Sequence, residues 1–162
     1  VSIADGRTSA DLAALAARVD RLEAIEAIRH LKARYAELVD ARYEGGQPLP
    51  AERLAPIAAA IAALFTEDAV WHAGGRLGTA RGRAEIRARM AAPTLRASRH
   101  YFVNPRIEID GDRARARWEL LAPCTLVDGR AAWLAGAEDD EYARIDGRWL
   151  HASMHLTVHF LR

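Results

Sequence analysis

Arg106-Ile107-Glu108-Ile109-Asp110-Gly111-Asp112-Arg113-Ala114-Arg115-Ala116-Arg117-Trp118-Glu119-Leu120 is the stretch that decides the fold. Ile107 and Ile109 alternate with Arg106 and Glu108. Ala114, Ala116, Trp118 and Leu120 then alternate with Arg113, Arg115, Arg117 and Glu119. A period of two puts each apolar set on one face of a strand. Asp110-Gly111 between them supplies the positive φ that a tight hairpin turn needs. Downstream, Asp128-Gly129 and Asp146-Gly147 repeat the turn signal and separate strands near 118–127, 130–145 and 148–160. The second half of the chain therefore reads as an antiparallel meander.

Upstream of residue 99 the period changes. From about 9 to 42, Leu12, Leu15, Val19, Leu22, Ile25, Ile28, Leu31, Tyr35 and Leu38 recur at helical spacing. Asp20-Arg21-Leu22-Glu23 has the form of a capping box, so two readings stand: one long helix, or a short leading helix that hands over there. Glu44 to Pro50 is a loop by its glycine and proline content, and an Ala-rich helix follows from about 51 to 65. Ala69-Val70-Trp71-His72 reads as a short strand, Ala73-Gly74-Gly75 as a turn, and 82–91 as a third helix. Helices first and a meander afterwards give an α+β fold: a cone-shaped α+β barrel, with N-terminal helices packed on a curved antiparallel sheet around one pocket.

Composition narrows the function. The 162 residues suffice for one domain core, and 23 basic against 22 acidic residues leave a formal charge of +1. Such a balance gives no field for nucleic acid or an anionic membrane surface. No apolar run approaches the roughly 20 residues that span a bilayer, and the start shows no secretory signal. Cys124 is the only cysteine, which removes intrachain disulfides and cysteine-based zinc sites. A soluble cytoplasmic protein without nucleic-acid or membrane partners is expected. Of the 23 basic residues one alone, Lys32, is a lysine.

Six segments in order resemble the SnoaL-like branch of the nuclear transport factor 2-like superfamily. They are Ile25 to Tyr35 with Asp40 five residues on, Leu64-Phe65-Thr66-Glu67-Asp68-Ala69-Val70-Trp71, and Gly82-Arg83-Ala84-Glu85-Ile86. They continue with His100-Tyr101-Phe102-Val103-Asn104-Pro105, Asp110 to Ala114, and Asp140 to Trp149. The resemblance spans about 22 to 150 and implies a single SnoaL-like domain over 1–162, with 1–20 as a leading helix or arm. Its relatives include polyketide cyclases, scytalone and bile-acid dehydratases, a hexachlorocyclohexane dehydrochlorinase and ketosteroid isomerases. One cavity serves many reactions in such folds, so the resemblance does not fix this one.

The resemblance implies a catalytic set of Tyr35, Asp40 and His100. The chemistry suits them. An imidazole can take a proton from carbon beside a carbonyl, and a carboxylate on its other nitrogen sets the tautomer. A buried phenol can donate to a developing oxyanion. At about 100° per residue, positions 35 and 40 diverge by roughly 140°, so both reach one pocket only if the helix ends near Asp40 or the cavity wraps round it. Each residue also has a plain reading: Tyr35 as core, Asp40 as a cap or partner of Arg34 or Arg42, His100 as an ordinary strand histidine.

Phe65, Trp71, Met90, Phe102, Trp118, Trp133 and Met154 are candidate substrate-binding linings, each equally at home in a core. Several relatives carry an arginine where Met154 stands, so recognition of an anion is not expected there. His151, His155 and His159 fall on a strand, where residues four apart lie about 13 Å from each other and cannot share one ion. No metal is expected, and their set is assigned to solvent or a neighbouring subunit. Glu138-Asp139-Asp140-Glu141 reads as an exposed strand start, with one of the four acids turned inward as the other reading. Cys124 has no basic neighbour and is not read as a nucleophile.

The expected function is a cofactor-independent lyase or isomerase of dehydratase type, acting on an apolar cyclic carbonyl or hydroxy compound. A polyketide cyclase-like enzyme, or a non-catalytic binding or accessory subunit, are the alternatives. A homodimer or homotrimer is expected.

Overall fold

The structure, a computed structural model, describes residues 3–74 and 78–162, the side chains of 3–7 excepted. Gly75, and with it the end of the turn read at 73–75, lies outside the described residues. Of the two helical readings for the N-terminal segment, the single helix holds: α1 runs Ile3–Asp40. Along its first half Leu12, Leu15, Val19 and Leu22 are exposed. The buried seam begins at Ala24 and continues through Ile28, Lys32, Tyr35 and Val39, at spacings of four, four, three and four.

A two-stranded ribbon follows, β1 (Tyr43–Glu44) and β2 (Gln47–Pro48), then α2 (Ala51–Ala62). The helix stops three residues before the expected 65, where Leu64 N–H closes a tight turn on the Ile61 carbonyl. Phe65 thus opens strand β3 (Phe65–His72), longer than the four residues its alternation suggested. Strand β4 (Thr79–Arg81) pairs back on β3 and leads into α3 (Gly82–Met90). The meander is β5 (Ala97–Ser98), β6 (Tyr101–Asp110), β7 (Arg113–Thr125), β8 (Ala131–Ile145) and β9 (Arg148–Leu161).

The sheet runs β4-β3-β9-β8-β7, with β5 and β6 sharing the far edge of β7. The pairing of β3 with β9 is parallel, so the sheet is mixed where pure antiparallel pairing was expected. All three expected turns lie where the Asp-Gly pairs put them. The helices cover the inner face, and two apolar clusters form beneath them. One gathers Tyr35, Ile61, Phe65, Trp71, Met90 and Met154; the other gathers Ile28, Trp118, Tyr142 and Trp149.

One register shift changes a face. Glu141 pairs with Ser153 but Tyr142 pairs with His151, so Ala152 bulges out of the ladder. The bulge reverses the alternation of β9: His151 joins Trp149 inside, while Met154 and Leu156 stay inside beyond it. His151, assigned to solvent from its alternation, is fully buried.

Candidate active site

The far edge of β7 is interrupted. Ser98 pairs with Cys124 and Tyr101 with Leu121, while Arg99 and His100 belong to neither strand. The gap leaves the His100 amide without a ladder partner, and α1 fills it by ending there. Asp40, the last residue of α1, accepts the His100 backbone N–H on Oδ2 at 3.1 Å and faces the ring Nδ1 with Oδ1 at 2.7 Å. Arg99 Nη1 lies 3.8 Å from Oδ2. The Asp40 side chain is 7% exposed and that of His100 19%. A carboxylate on Nδ1 fixes the imidazole with its free lone pair on Nε2.

His100 and Tyr35 line the same cavity of about 100 Å³, and the angular divergence of positions 35 and 40 on α1 turns Asp40 to the back of His100. Asp40 stands behind His100 and does not itself line the cavity. The Tyr35 hydroxyl accepts the Trp71 indole N–H at 3.0 Å, which leaves its own proton for a ligand. Burial, reinforced by the Glu138 charge, pushes the Tyr35 phenol above its ordinary range. The group stays protonated at any physiological pH.

The apolar wall differs from the expected one. Trp71 and Met90 line the cavity, with Leu120, Ala122, Leu134 and Leu156. Phe65 and Met154 are fully buried below it, Phe65 edge-on to Tyr35 with centroids 5.9 Å apart. Trp118 lies in the second apolar cluster, its indole N–H donating to the Tyr142 hydroxyl at 3.1 Å. Phe102 lies beneath the Lys32 ammonium, 4.1 Å from ring centre to Nζ, and borders a shallow surface depression instead. Trp133 faces outward and is 53% exposed, because its neighbour Leu134 takes the inward position on β8.

Sequence reasoning missed the polar layer between the two clusters. Lys32 is 1% exposed; its ammonium donates to Glu138 Oε2 and, at 2.7 Å, to Asp140 Oδ2. The Tyr142 hydroxyl also donates to Asp140 Oδ2 at 2.7 Å. Glu138 and Asp140 are the inward members of the acidic run; Asp139 and Glu141 face out, where Asp139 pairs with Arg117. Burial lowers the lysine's affinity for its proton, but two carboxylates outweigh it and the net direction is up. One ammonium serves two carboxylates, and burial pushes Asp140 up to about 6. Burial, with Lys32 nearby, drives His151 well below its ordinary value, and neither ring nitrogen has a hydrogen-bond partner among the described residues.

Burial pushes the Cys124 thiol up, consistent with an inert wall residue. Among the described residues no three of His, Cys, Asp and Glu converge as metal ligands, and no helix is long and apolar enough to cross a membrane. His155 stacks on His72 at 4.4 Å, away from His151.

Comparisons with solved structures place this geometry among known folds. A hexachlorocyclohexane dehydrochlorinase, LinA type 2, superposes with a TM-score of 0.73 at 23% identity, covering 90% of this chain and 91% of its own. A second LinA structure gives 0.71 at 26% identity, covering 89% and 91%. An NTF2-like protein with a cystatin-like fold from Novosphingobium aromaticivorans gives 0.71 at 27% identity, covering 90% and 88%. No curated protein sequence matches the chain. The SnoaL-like domain matches residues 56–155, more than half of the sequence, and the chain belongs to that family.

Proposed function

We propose that the chain is a lyase of the elimination type, acting on a small, largely apolar cyclic carbonyl or hydroxy compound through its own side chains. The observation that carries the reading is the 2.7 Å contact between Asp40 Oδ1 and His100 Nδ1 at the wall of an apolar cavity. His100 Nε2 takes the proton from carbon beside the carbonyl, and Asp40 stabilises the imidazolium that forms. The C–H electron pair moves into an enolate, whose oxygen accepts a hydrogen bond from Tyr35. With its phenol held above the ordinary range, Tyr35 supports the enolate without surrendering its proton. The proton that departs with the leaving hydroxide therefore comes from His100, which puts both events on one face of the ring. Water leaves and the imidazole is restored.

The LinA neighbours are named as dehydrochlorinases, and loss of HCl is an elimination of the same kind. The test uses 3-hydroxycyclohexanone, whose dehydration gives a conjugated enone followed by ultraviolet absorbance. Wild type turns it over, and His100→Ala and Asp40→Asn lose at least about 100-fold, the range typical of a lost general base. Equal turnover by wild type and His100→Ala sinks the mechanism and leaves a binding protein.

Self-association belongs to the same reading. Tyr101, Leu121, Ala135 and Phe160 are register neighbours across four strands on the outer face, and the three large ones are exposed. With Val103 and Trp133 they form an apolar patch of the kind that a second copy covers, in a homodimer or homotrimer.

A further inference from the structure

The cavity has a polar group that the elimination does not use. Glu138 lines it from β8, opposite Trp118 in register, whereas His100 stands level with Ala122. Four strand residues, about 13 Å along β7, separate the two levels. Glu138 therefore faces a different part of a bound molecule from the one that His100 reaches. Its Oε2 is held by Lys32, and among the described residues Oε1 has no partner. The residue as a whole is 5% exposed. A carboxylate only accepts hydrogen bonds, so this oxygen suits a donor and repels an anion. Lys32 cannot turn to offer itself in exchange, because Asp140 holds its other side and Phe102 lies against it.

We propose that Glu138 is a recognition carboxylate: its free Oε1 accepts a hydrogen bond from a hydroxyl of a neutral substrate, at the end of the cavity remote from His100. The inference rests on the cavity being the substrate site and names what that site reads. Lys32 is the positioning residue, since its ammonium fixes which Glu138 oxygen faces the ligand. The wall groups nearest this level in register, Leu120 and Leu156, are apolar, and the Tyr35 hydroxyl beside Lys32 already accepts from Trp71, so it does not compete as an acceptor. Burying a donor against a prepared acceptor discriminates far better than shape alone, because an analogue lacking the donor leaves a buried carboxylate oxygen unpaired.

The probes are phenol and fluorobenzene, single rings of nearly equal size that suit a cavity of this volume, and cyclohexanone as an acceptor. Binding is measured by isothermal titration calorimetry and ligand-observed NMR on wild type, Glu138→Gln and His100→Ala. Wild type is expected to bind phenol at least tenfold more tightly than fluorobenzene or cyclohexanone. In Glu138→Gln, Lys32 retains the amide oxygen and turns the NH2 toward the ligand. The phenol advantage then falls below threefold and cyclohexanone gains. His100→Ala keeps the wild-type preference. Equal binding of phenol and fluorobenzene by wild type overturns the inference and leaves the elimination reading standing, even if the glutamine variant does not fold. A phenol preference kept in Glu138→Gln but lost in His100→Ala overturns it as well, by assigning the acceptor to the imidazole. No binding of any probe overturns the cavity reading and this inference together.

Discussion

Replacing His151 by leucine should stabilise the protein, and more so in acid. The imidazole is fully buried among Phe65, Tyr35 and Tyr142, with ring centroids 5.0, 5.7 and 4.9 Å away. Neither nitrogen has a hydrogen-bond partner among the described residues; its nearest ionisable contact is Asp140 Oδ2, 3.9 Å from Nδ1. Leaving buried polar atoms unsatisfied costs about 1–3 kcal/mol, and leucine of similar volume removes them. Acid adds a second effect. Burial holds the folded-state value well below the ordinary 6.5, so below that pH the unfolded chain takes up a proton that the folded chain refuses. The His151 contribution to wild-type stability is therefore lost as pH falls through 6.5, by about 2 kcal/mol at pH 5. Leucine has no such linkage. Urea denaturation at pH 7.5 and pH 5 should show His151→Leu ahead of wild type at both, with the gap about 2 kcal/mol wider at pH 5 and an unchanged m-value. Thermal melts should rise by about 2–4 °C per kcal/mol. A gap of the same size at both pH values, or a variant less stable at pH 7.5, would refute an uncharged, unpartnered imidazole.

Lys32→Met leaves Glu138 and Asp140 buried without a cation and should cost about 3–5 kcal/mol in urea at pH 7.5. Part of that loss should return at pH 5 as Asp140 protonates; a loss below 1 kcal/mol would mean that water reaches the layer. Asp140, pushed up to about 6, binds its proton more tightly when folded, so its own contribution falls as pH rises from 4 to 6. Asp140→Asn should remove that fall, so that the rise with pH contributed by His151 stands out more steeply over the window, and an unchanged slope would contradict the assignment. Gly136→Ala places a Cβ against the Thr157 carbonyl, a backbone atom that cannot swing aside. A loss of about 1–3 kcal/mol is expected, against none if a second register shift of β9, between the Ala135–Phe160 and Gly136–Val158 pairs, absorbs it. Leu121→Arg puts a charge into the outer apolar row and should halve or third the mass seen by light scattering while far-ultraviolet circular dichroism is unchanged. An unaltered mass would move the interface elsewhere.

Period and turn chemistry were legible wherever a single face decides the residue. Arg113 to Leu120 alternates because one side meets solvent and the other meets helices, and the observed burial follows it residue by residue. The segment Ala131-Ala132-Trp133-Leu134-Ala135-Gly136-Ala137 carries no such contrast. Either phase fits it, and Trp133 was placed inside although Leu134 occupies that position. His151 was hidden differently. A bulge adds one residue without a sequence mark, since Ala152 is neither glycine nor proline, so the alternation that holds for Met154 and Leu156 gives the wrong face for His151 before it. Lys32 does not stand out within the stripe, because a charged residue on an amphipathic helix ordinarily belongs to the solvent face. Yet its seam, Ala24-Ile28-Lys32-Tyr35-Val39, has better helical spacing than the stripe through Ile25 and Leu31, both only half-buried. The signal that was available is its singularity: one lysine stands among 22 arginines. A slender ammonium fits between two carboxylates where a planar guanidinium does not.

The two charged assemblies beside the cavity are built to opposite requirements. His100 comes from a break in an edge strand, where its side chain is 19% exposed, and Asp40 backs it from a helix end. A proton on His100 can therefore exchange without disturbing a packed element. Lys32, Glu138 and Asp140 come from the middle of a helix and the middle of the central strand β8, and their side chains are at most 7% exposed. Any change of charge there is opposed by dry surroundings and by the apolar clusters on either side. A group that must cycle through protonation states in each turnover belongs in the first setting. A group that must present one unchanging acceptor belongs in the second. The division of labour proposed for His100 and Glu138 thus follows from where the fold can tolerate a moving proton, and exchanging the two positions would lose both properties.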